Sequence, residues 1–110
     1  MGFDILDLAK RIFEALKGQL DENFIVVEDY VEFESKKIAD TLAMIEKRFR
    51  KEIISEEEAK FLLQLQINYT RNILLTAEGI GFMTADHAIS AAMASVKDTV
   101  NEQIGFILIL

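Results

Sequence analysis

His87 is the single histidine of the chain, and it stands one helical turn before Ser90. An imidazole that can reach a hydroxyl is the minimum for nucleophilic chemistry, because it can take the hydroxyl proton near neutral pH. Around Ser90, however, there is neither a glycine-flanked serine nor a preceding strand to hold it on a sharp turn. Position 84, three before His87, is threonine, so the Glu-x-x-His pattern of a di-metal carboxylate centre is missing too. His87 therefore reads as a polar residue in the first turn of a helix.

The remaining candidates reduce in the same way. Glu28 and Glu32 share a helix face at i,i+4, and with Asp29 and Glu34 beside them they read as a solvated acidic edge. Such an edge attracts at most a weakly held divalent cation. Gly79-Ile80-Gly81 lacks the third glycine, the strand and the lysine of a phosphate loop, and reads as a turn. Lys47-Arg48-Phe49-Arg50-Lys51, with Lys36 and Lys37 upstream, is the one basic cluster. Cations suit the C-terminal end of a helix, and Glu52 with Glu56, Glu57 and Glu58 neutralises much of the patch. The chain is expected to carry no catalytic residue, no metal and no cofactor.

Charge is distributed very unevenly over the elements that position these groups. Of 31 charged residues, 25 lie in positions 1–60 and 6 in the last 50. Each helix of a small soluble domain should show charge to water, so the bare second half implies burial against something else. A net charge of −7 speaks against a nucleic-acid partner and against an anionic membrane surface. Without cysteine, disulfides and thiolate metal sites are excluded. The N-terminus has acids where a secretory signal needs cations, and Leu6 where myristoylation wants Ser or Thr. The charge-free windows 61–70 and 87–96 are about half of what spans a bilayer. A soluble, cytoplasmic protein with no membrane span is expected.

Residues 3–17 place Ile5, Leu8, Ala9, Ile12, Phe13 and Leu16 on one face of a helix, with Gly18 as its stop. Over 22–52, Phe24, Val27, Val31, Ile38, Leu42, Ile45 and Phe49 form a stripe that predicts one helix of about 45 Å. The β-branched run at 25–27 and the alternation at 30–35 leave a short β segment near 24–34 as the alternative. Ser55-Glu56-Glu57-Glu58 is a capping box that starts a third helix, running to about Glu78. Gly79 is its left-handed cap, and Thr84 opens a fourth helix. That helix carries a small stripe (Ala85, Ala88, Ala92, Ser95, Thr99) beside a large one containing Ile89, Met93, Val96 and Val100. Helix three is apolar on two sides as well, with Leu63, Ile67 and Leu74 on its second face.

The chain reads as a single all-α domain over 1–110, an antiparallel bundle of about four helices with long hairpins, helices three and four forming the core pair. Small residues at steps of three and four admit another backbone closely. Ala85, Ala88, Ala92, Ser95, Thr99, Leu63, Ile67 and Leu74 are therefore the expected self-association interface of a homodimer or higher oligomer. The apolar run 106–110 is expected to pack into the bundle or a partner subunit. The leading functional reading is a non-enzymatic assembly or interaction protein that contacts itself or another protein. The alternative is a module binding an apolar small molecule or acyl chain in a helix-lined pocket. A metal-dependent bundle enzyme is the remote third.

Overall fold

The computed structural model describes residues 2–110, with Met1 outside that range, and builds them into four α-helices with no strand among the described residues. They are α1 (Ile5–Leu20), α2 (Phe24–Arg50), α3 (Glu56–Leu75) and α4 (Phe82–Ile104), with one 3-10 turn, Asp21–Asn23, between the first two. The segment 24–34 is helical throughout, as the long-range stripe predicts. Its core side chains Val27, Val31, Ile38, Leu42 and Ile45 keep helical spacing, and burying them outweighs local β propensity.

Gly18 does not stop α1. The helix runs on to Leu20, because Leu8, Ile12, Leu16 and Leu20 form an unbroken i,i+4 ladder in the core. Burial of Leu20 contributes about 1.5–3 kcal/mol, more than the roughly 1 kcal/mol that glycine costs a helix interior. Asp21 then takes a positive φ of 49° and ends the helix.

Across the next turn, Ile53 N–H donates to Arg48 O and Glu52 N–H to Phe49 O. That is a Schellman closure with glutamate, at φ 60°, in the left-handed position. The capping box forms as expected, with Glu58 N–H donating to Ser55 Oγ and Ser55 N–H to Glu58 Oε1. α3 ends earlier than Glu78, at Leu75 with Thr76 as its cap, so Gly79, left-handed at φ 91°, belongs to the turn beyond the helix and is not its cap. The fourth helix opens earlier than Thr84, from Gly81 as its cap.

Helix directions alternate up and down, and cross-links fix the registers. Gln103 reaches Gly2 O and Arg11 reaches Ser95 and Thr99, so α1 and α4 run antiparallel. Thr70 meets Glu34 and Gln66 meets Thr41 between α2 and α3, and Arg71 meets Asp86 between α3 and α4. The resulting body measures 42 × 23 × 20 Å, its long axis set by α2.

Packing is densest where α1 lies on α4 and on α2, whereas the α3–α4 seam is the loosest of the four adjacent seams. The expected core hairpin is therefore a loosely packed pair. α1 takes the small-residue face of α4, and Ala85, Ala88 and Ala92 are fully buried within the single chain. On that face Arg11 donates to Ser95 O at 2.8 Å and to Thr99 Oγ1 at 3.0 Å.

Beyond α4 the chain turns back on itself. Gly105, at φ 91°, starts the reversal, and Phe106 packs on Phe49 with ring centroids 4.7 Å apart. Leu108 and Ile109 are buried. Asn101 holds this return: its Oδ1 accepts from the N–H groups of Leu108 and Ile109, and its Nδ2 donates to Ile109 O at 2.7 Å. Phe106, Leu108 and Ile109 thus pack into the bundle of their own chain, whereas Ile107 and Leu110 remain exposed.

Candidate functional site

Glu34 lies on the core stripe of α2, three residues after Val31 and four before Ile38. It is 2% exposed, so it does not belong to the solvated acidic edge expected of it; Glu28, Asp29 and Glu32 are exposed. A buried carboxylate needs donors. Thr70 Oγ1 donates to Glu34 Oε1 at 2.8 Å, and Lys37 Nζ lies 3.9 Å from Oε2. Thr70 in turn accepts from Gln66 Nε2, and Gln66 Oε1 accepts from Thr41. Thr41, Gln66, Thr70 and Glu34 thus form a continuous relay across the α2–α3 seam, which fixes the register of the two helices.

Outside this seam lies an exposed apolar face. Val26, Tyr30 and Phe33 on α2 and Phe61, Leu65 and Tyr69 on α3 are 46–64% exposed, at helical steps of three and four. Lys37 bridges the two rows, its Nζ 3.6 Å from the centroid of Tyr69 and 5.7 Å from that of Phe33. Met44 and Phe61 line one shallow depression and extend the face toward the capping box. From Val26 to Met44 the face is about 27 Å long. Exposed Asp29 and Asp40 border it.

A second surface feature occupies the loose α3–α4 seam. It is a groove of about 500 Å³ whose walls include Leu63, Ile67, Ile89 and Met93, with Leu108–Leu110 at one end. Arg71 and Asp86, 3.1 Å apart, also line it, as do Lys60 and Lys97. Arg71 packs over the Phe82 ring and donates to Asn68, while its Nε is buried with no partner.

The expected interface residues fall into three places. Ala85, Ala88, Ala92, Ser95 and Thr99 face inward, the last two bonded to α1. Leu74 is fully buried in the core. Leu63 and Ile67 line the groove.

His87 and Ser90 are both exposed, and only Ser90 belongs to the groove wall. No three His, Asp or Glu side chains converge on one point among the described residues. Arg50 of the basic cluster pairs with buried Glu46 at 2.9 Å. Among the described residues no helix is long and apolar enough to cross a membrane.

Sequence reasoning misplaced Glu34 on the acidic edge and passed over Thr70. For Glu34 a signal existed, since the seven-residue gap in the α2 stripe between Val31 and Ile38 falls on Glu34 and Ser35. Thr70 gave none, because its partner Glu34 lies 36 positions away in the sequence. No protein-family model, curated protein or solved structure matches the chain.

Proposed function

We propose that this chain is a non-enzymatic assembly module that associates with a second copy of itself through the α2–α3 face. The observation that carries the reading is the row of exposed Val26, Tyr30, Phe33, Phe61, Leu65 and Tyr69. Large contiguous apolar patches are uncommon on monomers, and aromatic residues with a polar rim are typical of interface centres. The small stripe of α4 is already occupied by α1, so the contact surface is assigned to the other side of the bundle. A second copy suits a face whose aromatic centre carries one cation, Lys37, between the acids Asp29 and Asp40. A two-fold axis passing between Lys37 and Asp40 would bring each lysine toward the aspartate of the other copy.

Sedimentation equilibrium of the full chain tests the reading, alongside Leu65→Glu. The expected result is a dimer for the parent and a monomer of unchanged helicity for the variant. A parent that stays monomeric at high concentration overturns it.

A further inference from the structure

We propose that the α3–α4 groove binds a single-chain fatty carboxylate, its head between Lys60 and Lys97 and its hydrocarbon along the apolar floor. Antiparallel register gives the first argument. Arg71 and Asp86 pair directly across the seam, which sets the height of every other residue on the two helices. Lys60 stands eleven residues before Arg71 and Lys97 eleven after Asp86. Both lysines therefore sit about 16 Å from that ion pair, at the same end of the groove, one on each wall.

Charge supplies the second argument. Arg71 and Lys97 are the two cations of the last 50 residues, and both line this groove. Neither Lys60 nor Lys97 takes part in an ion pair among the described residues. Asp86 is the one acidic side chain on the walls, and Arg71 already holds it. A chain of net charge −7 thus sets two unmatched cations at one end of an apolar channel. An anionic head with a hydrocarbon tail complements both features at once.

Leu63, Ile89 and Met93, at most 7% exposed, form an apolar floor under the groove. Met93 adapts its thioether to an alkyl chain. The volume of about 500 Å³ lies within the range of small-molecule sites.

Isothermal titration of the full chain with dodecanoate, below its micelle concentration, tests the proposal. Acetate and dodecyltrimethylammonium serve as comparison probes, and methyl NMR reports the location. The expected result is saturable binding of dodecanoate at one site per chain, with shifts at Leu63, Ile89 and Met93 methyls and no binding of acetate. The cationic probe, and dodecanoate on the Lys60→Gln/Lys97→Gln variant, should each bind about tenfold more weakly. Lys60 is exposed, Lys97 is half-buried and neither is in an ion pair among the described residues, so an unchanged melting curve is expected for that variant. Absent dodecanoate binding, equal binding of the cationic probe, undiminished binding by the variant, or shifts confined to Phe61, Leu65 and Tyr69 overturns the proposal. The last pattern would place the ligand on the self-association face, so the two surfaces are tested separately.

Discussion

Thr70 and Glu34, 36 positions apart in the chain, share a hydrogen bond of 2.8 Å in the buried seam between α2 and α3. The hydroxyl is fully buried and the glutamate nearly so. Each group answers the desolvation of the other. The bond sits where the α2 stripe would otherwise hold an apolar residue, and a polar pair of this kind distinguishes one register from its neighbours by a turn.

Replacing Thr70 by valine keeps shape and removes the donor. Glu34 is then left with the more distant Lys37, and a loss of about 1–3 kcal/mol is expected. Thr70→Ser keeps the hydroxyl and should lose less. Urea denaturation at neutral pH measures both; a valine variant as stable as the parent denies the bond any role.

Ala92→Leu inserts a bulky side chain where α4 is fully enclosed by its own chain. The expected effect is a destabilisation of about 1–3 kcal/mol, seen as a lower melting temperature with the mass in solution unaltered. Unchanged melting with a reduced mass would instead return the self-contact to the small stripe.

Three backbone positions should respond with different signs. Gly18 is helical, and a Cβ there meets nothing within 4 Å, so Gly18→Ala should stabilise by about 0.5–1 kcal/mol. Glu52→Gly relieves a left-handed glutamate and should stabilise by about 1 kcal/mol or less. Gly79→Ala forces a side chain into φ 91° and should destabilise by about 1 kcal/mol. Thermal melts of the three variants decide, and any reversed sign refutes the account at that position.

Helix content, the capping box and the Gly79 turn were legible because each rests on residues close together in the chain. Gly18 misled because a local breaker competes with Leu20, whose value depends on a core that no window of sequence displays. The pairing of α1 with α4 was hidden for a related reason. A small-residue stripe announces a close neighbour but not whether that neighbour belongs to the same chain; Arg11, bonded to Ser95 and Thr99, identifies it as α1. The sparse charge after position 60 is accommodated partly inside the chain, by Leu108 and Ile109 folding back. The exposed aromatics lie on α2 and α3, and Phe33 and Tyr69 became one surface only once antiparallel register set Lys37 between them.

The bond between Asn101 and the returning strand of chain has a consequence for how the molecule ages. One side-chain amide serves three main-chain groups of Leu108 and Ile109. Deamidation to aspartate would keep two of those acceptor roles while setting a negative oxygen against the Ile109 carbonyl. The whole segment would then lift as a unit rather than fray residue by residue, baring leucine and isoleucine to whatever sticky surface lies nearest.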